Sequence, residues 1–241
     1  MQYLALATDY DGTLAHDGHV SKNTLAAVRR LRDSQRKVIL VTGRELPQLQ
    51  ATFPDLGLCD VVVAENGGLL YWPAENREEV LGEPPPESFI LEMNRRDVKP
   101  FSVGRVIFAT WRPHEGAVLE AIQNLGIGYQ IIFNKGAVMV LPSAINKATG
   151  LKVALERLKL SAHNVVGIGD AENDHAFLDT CGVAVAVANA LPALKERCDM
   201  VTEGDHGGGV IELIDRMLGD DLQSLGTRVP RAELATHPVG L

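Results

Sequence analysis

Five short runs of apolar residues, many of them β-branched, alternate along the chain with stretches of helical periodicity. Because nearly every position in these runs is apolar, they predict strands that are covered on both faces, as in a parallel sheet. The runs occupy residues 3–9, 37–43, 60–66, 164–170 and 183–189. The pattern therefore predicts an α/β fold with a Rossmann-like parallel sheet as its core.

Two of the intervening stretches predict crossover helices. The first follows Ser21, a candidate N-cap, and carries its apolar residues on one face. The second follows Asn146, another candidate cap, and its apolar positions recur from Leu151 with the spacing of a helix face. Residues 67–82 predict a β-hairpin.

The middle of the chain has a different pattern. The segment "EPPPE" (83–87) stiffens and extends the backbone, which suits a domain boundary. From there to Pro142 the pattern predicts a small α+β module inserted into the sheet domain. Its predicted elements are helices at 86–96 and 114–125 and strands at 103–110, 128–133 and 137–141.

These patterns divide the chain into a core domain, an inserted cap domain and a tail. The core comprises residues 1–82 and 143–219, and the cap comprises residues 83–142. The tail, residues 220–241, has two prolines and little periodicity. We therefore expect it to be a surface or partner-packing segment with no role in the core.

Composition narrows the class of protein further. With 241 residues, of which 46% are hydrophobic, the chain can form a sizeable core, and no apolar stretch approaches a membrane span. Three widely spaced cysteines and the absence of a signal-peptide pattern favour the cytoplasm. A net charge of −8 argues against nucleic acid as a partner. We expect a cytoplasmic protein with neither a membrane nor a nucleic acid partner.

Polar residues follow the predicted parallel strands at the edge where such sheets bind ligands. Asp9 and Asp11 end the first strand, Thr42 ends the second, and Asp170 and Asp174 follow the fourth. Carboxylates gathered at one edge repel one another unless a cation lies among them. Mg²⁺ fits best, because it combines one or two carboxylates with waters and a substrate phosphate.

A lysine and a hydroxyl supply the complementary half of a phosphate site. Lys147 is predicted in the first turn of a helix, where the helix dipole disfavours a cation but where a bound phosphate explains it. Thr42 offers a hydroxyl at a strand end. Together these groups predict phosphoryl transfer, with Asp9 as the nucleophile and Asp11 as the acid and base.

At this point the motifs resemble those of a known family, the haloacid dehalogenase-like (HAD) phosphatases. The matching segments, in order, are "DYDGT" (9–13), "VTGR" (41–44), Lys147 and "GDAEND" (169–174). The insert, with "ENGG" (65–68) and "AVANA" (186–190), is similar to the Cof-type, class IIB branch. The resemblance covers about residues 1–218.

The resemblance implies a role for each motif residue of the phosphate site. It makes Asp9 the nucleophile, which forms an aspartyl-phosphate intermediate, and Asp11 the general acid and base. Thr42 and Lys147 then bind the substrate phosphate.

The resemblance also implies the metal ligands. Asp170 and Asp174 join Asp9 and Asp11 around Mg²⁺, with the backbone carbonyl of Asp11 as a ligand. By the same resemblance, Asn173 contacts the phosphate or supports the residues that do, and Gly43 allows a close turn at the phosphate. Arg44 reaches either the substrate or a structural carboxylate.

The cap leaves two interpretations open. Residues 94–142 contain six basic and three acidic residues, so the cap is either a positive lid that favours a second anionic group or a mixed-charge surface. The short insert is similar in length to those of phosphoglycolate, sucrose-phosphate and mannosyl-phosphoglycerate phosphatases. The predicted substrate is therefore a small phosphorylated metabolite, either a sugar phosphate or a phosphoglycolate- or phosphoglycerate-type acid.

Two other functions stay open. The same intermediate would serve a phosphotransferase or mutase that returns the phosphoryl group to a sugar hydroxyl instead of water. A non-catalytic module that binds phosphorylated ligands or a partner protein belongs to a different class. The two intact acids of "DYDGT" argue against the module.

Overall fold

The computed structural model describes residues 1–225 and contains two sheets. Its strands are β1 (Ala5–Asp9), β2 (Lys37–Val41), β3 (Val61–Ala64), β4 (Leu69–Trp72), β5 (Arg77–Val80), β6 (Phe101–Val103), β7 (Phe108–Trp111), β8 (Tyr129–Asn134), β9 (Ala137–Pro142), β10 (Val165–Gly169), β11 (Val183–Ala186) and β12 (Met200–Val201). Its helices are α1 (Lys22–Asp33), α2 (Leu46–Thr52), α3 (Glu87–Arg95), α4 (Glu115–Leu125), α5 (Lys147–Leu158), α6 (His175–Leu178), α7 (Pro192–Lys195) and α8 (His206–Gly219).

The larger sheet has eight strands in the order β12-β11-β10-β1-β2-β3-β4-β5. The six strands from β12 to β3 are parallel, and the predicted hairpin β4–β5 extends them in antiparallel fashion. The prediction of a parallel α/β core is confirmed. All five predicted strands are present, and the polar residues predicted to follow three of them lie at or just beyond the strand ends.

The register of the central strands brings their carboxyl ends to one edge. Asp9 on β1 pairs with Val41 on β2, and Thr8 pairs with Ile168 on β10. These central strands are buried, which follows from the unbroken apolar runs that form them. The residues that follow β1, β2 and β10 therefore lie side by side.

Both predicted helix caps are present. The Ser21 side chain accepts a hydrogen bond from the N–H of Thr24, and α1 begins directly after it. The side-chain oxygen Oδ1 of Asn146 accepts from the N–H groups of Ala148 and Thr149, while the Thr149 hydroxyl accepts from the N–H of Asn146. This reciprocal capping box fixes the first turn of α5, where Lys147 lies.

The insert forms an antiparallel sheet in the order β6-β7-β9-β8, with α3 and α4 packed on it. The predicted helices and the β8–β9 hairpin are confirmed. The single strand predicted at 103–110 is wrong, because residues 104–107 turn and divide it into β6 and β7. The turn is stabilised by a carboxylate from outside the insert.

That carboxylate belongs to Glu65, which follows β3 and is buried. Its oxygens accept hydrogen bonds from the N–H groups of Arg105, Val106 and Ile107 at 3.0, 2.8 and 3.1 Å. A Cβ on Gly104 would lie 2.6 Å from the Glu65 carboxylate, so the turn needs glycine there. Glu65 thus joins the sheet domain to the insert.

Two separate apolar clusters agree with the predicted division into core and cap. One cluster draws on residues of 3–72 and 148–222, and another draws on residues of 89–140. The boundaries at 82 and 143 stay a prediction.

The beginning of the tail differs from the expectation. Leu222 is buried in the main core, and Asp221 pairs with Arg36 at 2.8 Å. The prediction of a segment without a core role is therefore wrong for these residues, and residues 226–241 lie outside the described residues. No helix within residues 1–225 is long and apolar enough to cross a membrane.

The contact of Glu65 with the insert gives a testable prediction. Glu65→Gln removes the charge and turns an amide NH₂ toward backbone donors, so we expect a loss of about 1–3 kcal/mol in the free energy of unfolding. Urea denaturation measures it. Glu75→Gln, on the exposed end of the β4–β5 hairpin, is the control and should change stability by less than about 0.5 kcal/mol. Equal effects of the two substitutions would contradict the role of Glu65.

Candidate active site

Three carboxylates meet at the edge of the sheet. Oxygen atoms of Asp9, Asp170 and Asp174 all lie within 4.8 Å of one another, and all three residues are buried. Asp9 ends β1, and the other two follow β10, so the parallel register produces this cluster. The structure therefore brings together three of the four predicted acids, while the side chain of Asp11 points elsewhere.

Lys147 lies inside this cluster. Its ammonium nitrogen is 2.6 Å from an oxygen of Asp9 and 2.6 Å from Oδ1 of Asp174. Burial alone disfavours the ammonium, but the Asp174 and Asp9 carboxylates outweigh it and raise the pKa of Lys147. We conclude that Lys147 is a fixed, buried positive charge beside the predicted nucleophile.

Asp9 itself is in an unfavourable environment for a carboxylate. Burial and the negative charges of Asp174 and Asp170 raise the pKa of Asp9, although Lys147 opposes them. A second cation near Asp9 would relieve this repulsion.

Asp174 uses both of its carboxylate oxygens. Oδ1 accepts from Lys147, and Oδ2 accepts the N–H groups of Asp170 and Ala171 at 2.9 and 3.0 Å. Asp174 thus holds the loop that presents Asp170. Its direct binding of a metal stays a prediction.

Lys135 reaches this cluster from the cap. In the sequence it is one of the six basic residues of 94–142, with no individual role predicted. The Lys135 ammonium donates to Oδ2 of Asp170 at 2.7 Å and to the backbone carbonyl of Asp11 at 2.8 Å. Lys135 lies in the two-residue turn between β8 and β9. The segment Asn-Lys-Gly signals that turn, but nothing in the sequence indicates that the turn docks on the core.

Gly12 makes this approach of the cap lysine to the acids possible. Its φ of +92° favours glycine, and a Cβ there would lie 2.3 Å from the Lys135 nitrogen and 2.4 Å from Oδ2 of Asp170. The glycine of "DYDGT" therefore provides space for a cation beside Asp170.

Asp11 faces Arg44 on the other side of the loop. Its two oxygens accept from Nη2 and Nε of Arg44, both at 2.7 Å. Of the two roles predicted for Arg44, the structure shows the contact with a protein carboxylate. Two charge-assisted hydrogen bonds thus hold the Asp11 side chain against Arg44.

The remaining predicted phosphate-site residues lie on neighbouring loops. The buried Thr42 hydroxyl accepts the N–H of Arg44 at 3.1 Å, and Gly43 lies against the cap residue Met139 and against Asn66. Asn173 donates to the Asn66 side chain at 3.1 Å, and its own Oδ1 is buried without a hydrogen-bond partner. An unpaired buried acceptor beside the acids is compatible with a role in binding a donor.

A cavity of about 580 Å³ lies between the core and the cap beside these residues. The core lines it with Asp9, Asp11, Gly43, Arg44, Glu45 and Gln48, and the cap lines it with Pro100, Phe101, Ser102, Ala109, Thr110, Trp111, Asn134, Lys135, Ala137 and Met139. A small molecule in this cavity contacts both the predicted nucleophile and the cap.

The haloacid dehalogenase-like hydrolase family model matches residues 6–90 and 122–214. Among curated relatives, a phosphoglycolate phosphatase of Methanothermobacter thermautotrophicus is 35% identical, over 89% of this chain and 99% of its own length. Another phosphoglycolate phosphatase, from Archaeoglobus fulgidus, is 33% identical over 87% of this chain and 95% of its own length.

Solved structures agree on the fold. A haloacid dehalogenase-like hydrolase from Bacteroides thetaiotaomicron superposes with a TM-score of 0.76 at 19% identity, covering 89% of this chain and 99% of its own. A HAD/COF-like hydrolase from Plasmodium vivax superposes with the same TM-score and the same identity, and the match covers 90% of this chain and 96% of its own.

Together, the fold, the acidic cluster and these matches define a hydrolase of one class. The chain belongs to the haloacid dehalogenase-like hydrolases. The prediction of a phosphatase of this family is confirmed.

The buried lysine gives a prediction on stability. Lys147→Met leaves Asp9 and Asp174 without their shared counter-charge, so we expect the free energy of unfolding to fall by about 3–5 kcal/mol. Urea denaturation without divalent metal measures this fall, and added Mg²⁺ should restore part of the loss. Lys152→Met, at an exposed position of α5, is the matched control with little expected effect. If both variants have the same stability, Lys147 is not the counter-charge of the cluster.

Proposed function

We propose that the chain is a Mg²⁺-dependent phosphatase that hydrolyses a small phosphorylated acid of the phosphoglycolate type through an aspartyl-phosphate on Asp9. The observation that carries the proposal is the position of the Asp9 carboxylate. It lies at the end of β1, buried, 2.6 Å from the Lys147 ammonium and in the same cluster as Asp170. This environment combines a nucleophile with a fixed charge for a phosphate.

The donor atoms support a hard divalent cation. The atoms available to bind a cation in this cluster are all oxygens. The Lys135 ammonium bridges Oδ2 of Asp170 and the backbone carbonyl of Asp11, which marks a position for positive charge. Asp9, Asp170 and the Asp11 carbonyl would hold Mg²⁺, with Asp174 supporting them. When bound, the ion neutralises phosphate charge and keeps Asp9 ionised.

The residues of the chain then divide the reaction between them. An oxygen of Asp9 attacks phosphorus, the ester bond breaks, and Asp11 donates a proton to the departing oxygen. Asp11, again a carboxylate, accepts a proton from the water that cleaves the acyl phosphate. Lys147 holds the phosphoryl oxygens throughout.

Three further predicted residues complete the phosphate site. We propose that Thr42 contributes its hydroxyl, that Gly43 allows close approach of the backbone, and that Asn173 supports the site through its hydrogen bond to Asn66.

The substrate proposal rests on the relatives and on the cavity. The two archaeal relatives reported above are phosphoglycolate phosphatases, and they match nearly their whole length. The cavity of about 580 Å³ suits a small ligand. We propose that the cap, residues 83–142, closes over this ligand and excludes bulk water.

The nucleophile gives a direct prediction. Asp9→Asn should lower kcat with phosphoglycolate by at least about 10³-fold, because a neutral amide is a poor nucleophile. Initial rates of phosphate release with Mg²⁺ measure it, and circular dichroism checks the fold. Asp33→Asn, at the exposed end of α1, is the matched control and should retain full activity. Ordinary turnover by the Asp9 variant would rule out the mechanism.

The acceptor of the phosphoryl group gives another prediction. In ¹⁸O-labelled water, every released phosphate should carry one label, because water cleaves the acyl phosphate at phosphorus. Mass spectrometry of the phosphate measures it. Transfer of the phosphoryl group to an added sugar, without release of phosphate, would instead indicate the phosphotransferase. Release of unlabelled phosphate would contradict attack of water at phosphorus.

A further inference from the structure

The cap places a cation in the cavity at the tip of the β8–β9 hairpin. Lys135 has a φ of +48° and is followed by Gly136 at +90°, so both residues of the turn are left-handed. A lysine in this conformation costs roughly 1 kcal/mol relative to glycine. Strained residues of this kind are concentrated at functional sites, which directs attention to the side chain that the turn presents.

The other basic residues of the lid face away from the cavity. Four of them pair with acids outside it, as Arg95 and Arg96 do with Glu92, Lys99 with Asp97, and Arg105 with Glu78. Arg112 lies over the ring of Phe133. The mixed-charge interpretation of the lid therefore holds for its outer surface, and Lys135 is the basic residue of 94–142 that lines the cavity.

Lys135 at present contacts oxygens that we assign to the metal. A divalent cation and an ammonium cannot share Oδ2 of Asp170 and the Asp11 carbonyl at hydrogen-bond distance, because like charges repel. Metal binding thus displaces the ammonium into the cavity. The flexible four-carbon stem of lysine allows this movement without any change in the turn.

The rest of the cavity cannot neutralise an anion. Arg44 is committed to Asp11 by two hydrogen bonds, and Asp9, Asp11 and Glu45 are acidic. The polar groups contributed by the cap, Ser102, Thr110 and Asn134, are uncharged. A substrate that carries a carboxylate besides its phosphate therefore needs the displaced Lys135 as its counter-charge.

We propose that Lys135 binds the second anionic group of the substrate and so determines specificity for phosphorylated acids. The inference rests on the proposed phosphatase function and adds to it the residue that recognises the non-phosphate end. The Lys135 ammonium leaves the carboxylate of Asp170 and pairs with the carboxylate of the substrate. Binding of metal and recognition of the acid are thereby linked through one side chain.

The test compares two esters that differ in this group, phosphoglycolate and 2-hydroxyethyl phosphate, at saturating Mg²⁺. Lys135→Met should lower the ratio of their kcat/KM values by about 30-fold, as expected for loss of a charged hydrogen bond. Lys135→Arg should restore most of the ratio. Lys99→Met, which removes a cap lysine outside the cavity, should leave it unchanged. An unchanged ratio in Lys135→Met overturns the inference.

A readout independent of turnover tests the displacement step. Titration with Mn²⁺, followed by electron paramagnetic resonance, should give a Kd for Lys135→Met about 10-fold lower than for the wild type, because a competing charge is gone. Equal or weaker binding overturns the displacement. If the wild type hydrolyses neither ester, the proposed function itself fails. If it hydrolyses phosphoglycolate while Lys135→Met slows both esters equally, only the role of Lys135 fails.

Discussion

The structure of the active site depends on one buried ion-pair system, in which the Lys147 ammonium lies between the carboxylates of Asp9 and Asp174. Three acids at the end of a buried sheet would otherwise repel one another in a medium of low polarity. The cost of burying these charges is met by short hydrogen bonds on several sides, including the backbone N–H groups that bind Asp174. The same arrangement leaves Asp9 short of positive charge, which makes the site receptive to a metal ion.

That ion pair is possible because secondary structure places each partner independently. Asp9 is the last residue of β1, Asp174 follows β10 at a short turn, and Lys147 is the first residue of α5, held there by the capping box of Asn146 and Thr149. The three segments are distant in sequence, and the parallel register of the sheet brings them together. A cation at a helix N-terminus is unfavourable in isolation, so two carboxylates are needed to keep it there.

The sequence predicted those elements well, because unbroken apolar runs and cap residues are local signals. The five core strands, the N-caps at Ser21 and Asn146, and the grouping of Asp9 with Asp170 and Asp174 all followed from them. The division of the predicted strand 103–110 could not be foreseen, because its cause is Glu65, about 40 positions away. The docking of Lys135 was also missed, since a hairpin tip carries no local sign of what it contacts. Burial of Leu222 depends likewise on packing and not on pattern.

The bond between Glu65 and the insert has a consequence for how this enzyme can diversify. The Glu65 carboxylate binds main-chain N–H groups of residues 105–107, and at Gly104 it leaves no space for a Cβ. The anchoring of the insert is therefore largely independent of amino-acid identity in the turn. An evolving or redesigned chain can alter the cavity-lining strands of the insert while this anchor stays in place.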